Sequence, residues 1–413
     1  MTNLSQFRIT VLAACGLLGS ANAAKPKTIY SFTGGSNGYA PSSLIEVGST
    51  FYGTTPAGGT HNSGTVFQVD AKTHTQKVIY SSQGLAGGPD GIVQGLIGAN
   101  PSTPLISLNG LLYGATSAGG AASNGTLYQL DPANGTASVL YPFKGESDGS
   151  EPNSLLLYNG IFYGTTPSYD GDNCANNVNG GCGTVFSFDP ASNTETTLYR
   201  FTGGADGLFP SSLVNLGGTI YGVTIYGGNT CGCGTLFQFT PATNTVTTLY
   251  TFQGGPTDAK NPTGAPVLVN GIVYGIALSG EACNPNIGLY CGVVYAFNPA
   301  SGAESEFYSF PAPGGSNGAS PSSLLTWNGM LYGATLYGGS TDCFERFGYG
   351  TLFQLNPSTA VETTLYVYTL KQAHHTPGYS PSLAIAGSTL YGLTRGTGDT
   401  KSDPNGSIFS FTP

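Results

Sequence analysis

The dipeptide Tyr-Gly recurs seven times along the chain, and this recurrence constrains the fold more than any other feature. A unit of roughly 56 residues separates the copies, whose tyrosines are Tyr52, Tyr113, Tyr163, Tyr221, Tyr274, Tyr332 and Tyr391. Most copies are followed by a Gly-Thr-Val/Leu-Phe/Tyr segment, as at residues 64–67, and then by a Leu-Tyr-x-Phe segment, as at residues 198–201. Self-similarity at a period of this size indicates a repeat architecture.

Each repeat contains four short segments, here called strands a, b, c and d. They are rich in Tyr, Phe, Val, Leu and Thr and are bounded by turn residues, which is typical of β-strands. Adjacent residues within a segment are apolar, as in Phe51-Tyr52 and Val66-Phe67, so both faces of each sheet are expected to be buried. Seven four-stranded units buried on both faces predict an all-β fold, a seven-bladed β-propeller.

The two ends of the sequence predict how the ring closes. The seventh repeat stops at Pro413, after its strand c, whereas residues 27–32 have the pattern of a strand d and precede the first strand a. We therefore expect the N-terminal strand to complete the last blade, so that residues 24–413 form one closed propeller domain. Closure removes the unpaired strand edges that an open stack would expose.

The composition is compatible with a folded chain, although only 8% of the residues are charged and Gly numbers 64 of 413. Aromatic residues make up 11% of the sequence, and disordered chains are poor in them. Frequent Gly disfavours helices. The net charge is −9, and no basic run exceeds two residues, which excludes the clustered Lys and Arg of a nucleic-acid-binding surface.

The sequence resembles the tandem-repeat family called GloVer, named for Gloeobacter and Verrucomicrobium. The resemblance rests on the Tyr-Gly-Thr-Thr block at residues 52–55, Gly-Gly at 58–59, Gly-Thr-Val-Phe at 64–67 and Leu-Tyr-x-Phe at 197–201. It covers nearly the whole mature chain. It implies an exported bacterial protein and no assigned activity.

Residues 1–23 have the pattern of a secretory signal peptide. Arg8 supplies the positive charge, residues 9–18 the apolar stretch, and residues 21–23 a small-x-small cleavage site. A competing interpretation is a lipobox ending at Cys15, which would make that residue a lipidated N-terminus. We expect a secreted or periplasmic bacterial protein without a membrane span.

Export makes disulfides possible. Two pairs share one spacing and are predicted to form local bridges: Cys174 with Cys182, and Cys283 with Cys291. The states of Cys231, Cys233 and Cys343 stay open, because a bridge across the single residue between Cys231 and Cys233 would be strained. A zinc site is the alternative, but it lacks a second matched pair or a nearby His.

The b–c and d–a connections are long, and both emerge at the same end of the predicted ring, which we call the top face. The candidate ligand-binding residues on this face are His61, Tyr226, Tyr337, Asp342, Arg346 and His374. Tyr rings can stack on sugars, and Arg suits an anionic or hydroxyl-rich ligand. The alternative interpretation is that the charged residues on the top face are only solvated loop residues. Asp148 and Asp206 are interpreted as turn residues.

No His-Glu-x-x-His or P-loop motif occurs, and a Gly-x-Ser-x-Gly nucleophile elbow, which needs a strand-to-helix turn, is not expected in an all-β chain. One catalytic hypothesis takes His375 as a base and Arg395 as the group that neutralises a uronate, as in a polysaccharide lyase. Another uses paired carboxylates for glycoside hydrolysis, drawn from Asp342, Glu345, Asp170, Asp172 and Glu281. Asp170 and Asp172 could also hold Ca²⁺. No other cofactor or metal is expected.

Three functions follow from these observations. The first is an exported monomeric propeller that binds an extracellular glycan or protein on its top face. The second is a polysaccharide lyase or glycoside hydrolase whose site lies on the same face. The third is a structural cell-surface repeat protein, which needs neither site.

Overall fold

The computed structural model describes residues 25–82, 103–145, 147–168, 174, 181–255, 258–279, 291–311, 316–339, 350–368, 382–394 and 405–413. The described strands form seven antiparallel sheets of four strands, ordered a–b–c–d in each. The predicted all-β seven-bladed propeller is therefore confirmed. A single turn of 3-10 helix lies at Gly35–Asn37.

The strands follow the order of the repeats. Blade one contains β2 (Ser43–Val47), β3 (Thr50–Thr55), β4 (Thr65–Asp70) and β5 (Gln76–Ser81), blade two β6 (Ile106–Leu108), β7 (Leu111–Thr116), β8 (Thr126–Asp131) and β9 (Thr136–Pro142), and blade three β10 (Ser154–Tyr158), β11 (Ile161–Thr166), β12 (Thr184–Asp189) and β13 (Thr194–Arg200). Blade four contains β14 (Leu208–Leu216), β15 (Thr219–Tyr226), β16 (Thr235–Thr240) and β17 (Thr245–Thr251), and blade five β18 (Lys260–Val269), β19 (Ile272–Ser279), β20 (Val293–Asn298) and β21 (Ala303–Ser309). Blade six contains β22 (Ala319–Trp327), β23 (Met330–Tyr337), β24 (Thr351–Leu355) and β25 (Glu362–Val367), and blade seven β26 (Leu383–Ala386), β27 (Thr389–Thr394), β28 (Ser407–Phe411) and the N-terminal β1 (Lys27–Ser31).

The ring closes through the N-terminal strand, as the sequence predicts. Strand β1 pairs antiparallel with β28, with Lys27 opposite Ser410 and Thr28 opposite Phe409. The Phe32 amide continues the ladder by donating to the Gly406 carbonyl at 2.8 Å. The first strand of the domain is thus the fourth strand of its last blade.

The glycine of each Tyr-Gly motif faces an aromatic ring of strand c. The pairs are Gly53–Phe67, Gly114–Tyr128, Gly164–Phe186, Gly222–Phe237, Gly275–Tyr295, Gly333–Phe353 and Gly392–Phe409. A Cβ at any of these glycines would lie only 2.2–2.6 Å from the facing side chain. Packing therefore requires these glycines, and the Tyr-Gly and Gly-Thr-x-Phe motifs form one structural unit.

A second aromatic contact joins neighbouring blades. The last residue of each Leu-Tyr-x-Phe motif packs edge to face on the strand-c ring of the next blade, in the pairs Phe32–Phe67, Phe143–Phe186, Phe201–Phe237, Phe252–Tyr295, Phe310–Phe353 and Tyr368–Phe409. The centroid distances are 5.0–5.4 Å in the first five pairs and 6.4 Å in the last. The seam between blades one and two has the buried Ser82 at this position. Burial of these rings accounts for much of the core.

Buried hydroxyl pairs fix the start of the b–c loops. Near the top ends of strands b and c, six blades pair Thr55–Thr65, Thr116–Thr126, Thr166–Thr184, Thr224–Thr235, Thr335–Thr351 and Thr394–Ser407 at 2.7–3.0 Å. Blade five places Ala277 opposite Val293 instead. Each b–c loop of those six blades therefore leaves the sheet from a hydrogen-bonded base.

Candidate functional site

The structure describes three of the residues predicted to form the site. His61, Tyr226 and Tyr337 lie within the described ranges. The other candidate ligand-binding and catalytic residues, Asp342, Arg346, His374, His375 and Arg395, lie outside the described residues, as do Asp170 and Asp172 of the Ca²⁺ hypothesis.

His61 lies on the exposed b–c loop of blade one. Its Nδ1 is 3.0 Å from the Thr60 hydroxyl, and its carbonyl accepts a hydrogen bond from the Ser63 hydroxyl at 3.2 Å. These contacts stay within the loop itself and place the imidazole at the surface of the top face.

Tyr226 and Tyr337 occupy equivalent positions at the ends of β15 and β23. In both blades the Thr two residues earlier donates its hydroxyl to the Tyr carbonyl, Thr224 at 3.1 Å and Thr335 at 2.9 Å. The two side chains differ in exposure, because Tyr226 is 47% exposed and Tyr337 is half-buried. Only Tyr226 thus offers much of its ring to solvent.

Tyr226 borders a groove on the top face of blade four, with a volume of about 610 Å³. Two loops form its walls: the d–a loop from blade three contributes Gly203, Gly204, Ala205 and Leu208, and the b–c loop of blade four contributes Gly227, Gly228, Asn229, Thr230, Cys231 and Gly232. Five of these lining residues are glycines, which leave backbone N–H and C=O groups uncovered by side chains. The groove thus combines one exposed aromatic ring with polar backbone and the side chains of Asn229 and Thr230.

Phe209 supports the Tyr226 ring from the side. The two rings meet edge to face with centroids 5.8 Å apart. Phe209 has a φ of 56°, which is unusual for a bulky residue. The corresponding residues Ala40, Glu151, Asn261 and Ser320, each before a proline, also have positive φ values, but only blade four places an aromatic there among the described blades. The positive φ therefore belongs to the repeat, and in blade four it places an aromatic ring beside Tyr226.

Asp206 fixes the d–a wall of the groove. Its carboxylate accepts hydrogen bonds from the Tyr199 hydroxyl at 3.0 Å, the Thr202 amide at 2.8 Å and the Thr202 hydroxyl at 2.6 Å. Burial and the nearby Asp206 charge raise the pKa of Tyr199 well above its ordinary value. Asp148 makes the same contacts with the Tyr141 hydroxyl and the Lys144 amide. Both Asp residues therefore serve as turn residues, as interpreted from the sequence.

Two disulfides border the groove. Cys174 and Cys182 are joined, and a Cβ on Gly203 would lie 2.6 Å from the Cys182 Sγ, so this bridge packs beneath the d–a loop. Cys231 and Cys233, whose state the sequence left open, are also joined and form part of the opposite wall.

Of the second predicted pair, Cys291 is buried, whereas Cys283 lies outside the described residues, as does Cys343. The bridges that are described therefore flank the groove.

Sequence reasoning singled out Tyr226 but missed Phe209 and the two loops that form the groove. Part of the signal was present in the sequence, since Tyr226 directly precedes Gly227-Gly228 and a second pair, Gly203-Gly204, lies in the preceding d–a connection. The aromatic residue before Pro210 is visible in the sequence, but its contact with Tyr226 appears only in the folded structure.

The described part of the chain contains no helix that is long and apolar enough to cross a bilayer. No curated protein sequence matches this chain.

Solved structures with the same architecture share little sequence with it. Oligogalacturonate lyase from Vibrio parahaemolyticus is 10% identical, with a TM-score of 0.59 over 94% of this chain and 93% of that one. The extracellular domain of a hybrid two-component system from B. thetaiotaomicron is 9% identical, with a TM-score of 0.57 over 93% of this chain and 39% of that one. At such identities the likeness shows a shared fold.

The family comparison is more specific. The model of the Gloeobacter/Verrucomicrobia repeat matches three overlapping stretches, residues 16–178, 93–288 and 174–409. Together these stretches contain all seven Tyr-Gly motifs, whose glycines face the aromatic rings of strand c. The chain therefore belongs to the Gloeobacter/Verrucomicrobia repeat family.

Proposed function

We propose that the protein is an exported propeller that binds an extracellular carbohydrate in the groove beside Tyr226. The observation that carries this proposal is the exposed Tyr226 ring, held edge to face by Phe209 at the border of a glycine-lined groove of about 610 Å³. The groove is large enough for one or a few sugar rings.

The chemistry of the groove suits a sugar. The face of an aromatic ring stacks on the apolar C–H face of a pyranose, while the sugar hydroxyls need hydrogen-bond partners. Backbone groups of the glycine-rich walls, together with the Thr230 hydroxyl, supply donors and acceptors for them. The absence of bulky side chains on five of the lining residues allows a flat ring to approach the backbone closely.

The walls are pre-organised, which lowers the entropy cost of binding. Asp206 holds the d–a wall through three hydrogen bonds. The b–c wall is held by Asn229, which accepts from the Cys231 amide at 3.0 Å and donates to the Phe252 carbonyl at 2.9 Å. Rigid loops on a rigid scaffold are where binding sites commonly form.

Export is supported by the disulfides, which persist in oxidising compartments. The signal-peptide pattern of residues 1–23 agrees with this location. A solved extracellular domain with the same fold is consistent with it.

The test is a glycan array probed with the purified mature protein, followed by titration calorimetry with each hit. We expect Tyr226→Ala to abolish binding and Tyr226→Phe, which keeps the ring, to retain it. Tyr337→Ala is the matched control, because it removes the equivalent but half-buried ring of blade six. Retained binding in Tyr226→Ala, or loss in Tyr337→Ala alone, would place the site elsewhere.

A second assay distinguishes binding from catalysis. Incubation with uronate-containing polysaccharides should release no unsaturated ends if the protein only binds. Release that disappears in His375→Ala and Arg395→Ala would instead support the lyase hypothesis. If the protein bound a protein partner and no glycan, the groove could still be the binding site, but the proposal that its ligand is a carbohydrate would be wrong.

A further inference from the structure

A buried acidic pair lies between blades four and five, and neither of its residues lines the groove. Asp258 is only 7% exposed. Its Oδ2 accepts hydrogen bonds from the Tyr250 hydroxyl at 2.9 Å and the Gln253 amide at 2.7 Å. Its Oδ1 is buried and has no hydrogen-bond partner among the described residues.

Glu304, on strand d of blade five, faces this carboxylate across the seam. Burial and the charge of Asp258 raise the pKa of its carboxyl group, with the Tyr250 hydroxyl acting in the opposite direction, so the three groups are neighbours. The Glu304 Oε1 is also buried and without a partner in the described structure. Two adjacent carboxylates that each bury an unpaired acceptor would be costly if both were ionised. One proton placed between them would make one group a donor and satisfy the other.

The equivalent positions in the neighbouring seams do not place two unpaired carboxylates together. Between blades three and four, Val246 occupies the position of Glu304, and the free oxygen of Asp206 accepts from the Thr202 hydroxyl instead. Between blades five and six, Glu362 is present but Asn317 replaces the Asp, and its amide donates to the Tyr308 hydroxyl at 3.2 Å. Both seams therefore avoid a pair of bare carboxylates.

The seam between blades two and three comes closest to that of blades four and five. Asp148 again has a buried, unpartnered Oδ1, and Glu195 faces it. Burial raises the pKa of Glu195 as well, but the positive charge of Lys144 acts against this shift. For Glu304 the groups with the largest influence are Asp258, Tyr250 and Glu306, none of them cationic. The Asp258–Glu304 pair thus has the strongest need for a proton.

We propose that Glu304 keeps its proton at neutral pH and donates it to Asp258, and that loss of this proton at alkaline pH weakens the seam between blades four and five. A proton is favoured over a metal because no group of three or more His, Cys, Asp or Glu side chains suited to a metal exists among the described residues. Calcium typically takes six to eight oxygen ligands.

The direction of the pH effect follows from the surroundings of Glu304. Burial, the charge of Asp258 and the charge of Glu306 raise its pKa from 4.5 to about 8, against the hydrogen bond from Tyr250. The Glu304 charge also acts on Tyr295 of β20. The folded chain therefore binds more protons than the unfolded chain between these two pKa values. The contribution to stability is complete below pH 4.5 and is lost as the pH rises through about 8.

The test is the urea midpoint of unfolding measured from pH 5 to pH 9.5. For one such group the unfolding equilibrium constant changes by at most about tenfold per pH unit inside the window. In Glu304→Gln the side-chain amide donates to Asp258 at every pH in this range. We therefore expect the urea midpoint to fall less between pH 6 and 9 than in the parent, and to be higher than the parent's at pH 9. Asp258→Asn, which copies the seam of blades five and six, should act likewise.

Two controls and one competing outcome complete the design. Glu46→Gln removes an exposed carboxylate and should leave the pH profile unchanged. Val246→Glu installs the acid opposite Asp206 and should add an alkaline loss of stability. An unchanged pH slope in both Glu304→Gln and Asp258→Asn would overturn the proposal. So would recovery of the parent's midpoint at pH 9 by added Ca²⁺, which would identify a cation site instead.

Discussion

Replacing Gly222 by Ala is the most direct test of why the Tyr-Gly motif exists. The added Cβ would lie 2.2 Å from the Phe237 Cζ and 2.7 Å from the Ser212 carbonyl oxygen. Ordinary contact distances are 3.4–4 Å, so the ring must retreat by more than an ångström. Phe237 is fully buried, and the Phe201 ring of the previous blade packs against it at 5.4 Å. The ring therefore has little room to move.

The expected cost follows from this confinement. Overpacking a core typically costs about 1–3 kcal/mol. We expect about 3 kcal/mol here, because the Ser212 backbone blocks movement in the opposite direction. Phe237→Ala alone should cost about 3–5 kcal/mol through the cavity that it leaves. The double variant should cost no more than Phe237→Ala, which corresponds to a coupling energy of about 3 kcal/mol.

Urea titration followed by circular dichroism measures these free energies of unfolding. Gly204→Ala is the control, because a Cβ there would meet only the Thr202 hydroxyl at 3.4 Å and its φ is not positive. We expect that substitution to change stability by less than about 0.5 kcal/mol. A cost for Gly222→Ala as small as that of the control, or additive effects in the double variant, would refute the packing explanation.

Two further predictions concern the hydroxyl pairs and the closure of the ring. Thr335→Ala should cost about 1–3 kcal/mol in urea unfolding, because the buried Thr351 amide loses its partner and the Thr351 hydroxyl keeps only the Asn317 carbonyl at 3.5 Å. Adding Thr351→Val, which copies Ala277 and Val293 of blade five, should recover part of this loss, and a further additive loss would contradict the reasoning. Deleting residues 27–31 should expose the edge of β28 and produce oligomers in size-exclusion chromatography, because an unpaired edge strand recruits another chain; a monomer of unchanged stability would show that β1 is dispensable.

The sequence was sufficient to predict the architecture, because the fold repeats a local pattern. Seven copies of one motif, each with four apolar segments, predicted the blades, and the misplaced strand-d pattern at residues 27–32 predicted the closure by β1. The same pattern could not show that Gly222 lies opposite Phe237. That pairing depends on the register between strands b and c, which only the folded sheet defines.

The site was less predictable, because it depends on contacts between repeats. Tyr226 was predicted as a ligand contact and lies on the groove, but Phe209 reaches it through a backbone conformation that its residue type disfavours. The state of Cys231 and Cys233 was left open for a local reason, because their spacing alone argued against the bridge that the structure contains. Asp258 and Glu304 are 46 positions apart in sequence, and nothing local links them.

The aromatic seam has a consequence for how such a ring can grow. Every repeat has the glycine-backed ring on strands b and c, and six of the seven also carry, at the end of strand d, the ring that packs on the next copy; Ser82 takes that place in blade one. One unit therefore holds both halves of a heterologous, head-to-tail interface, and a tandem duplication reproduces a matched seam without any new substitution. Gene duplication could thus add blades without changing the contacts between them. The number of blades is then determined by the curvature at which the first and last strands can pair.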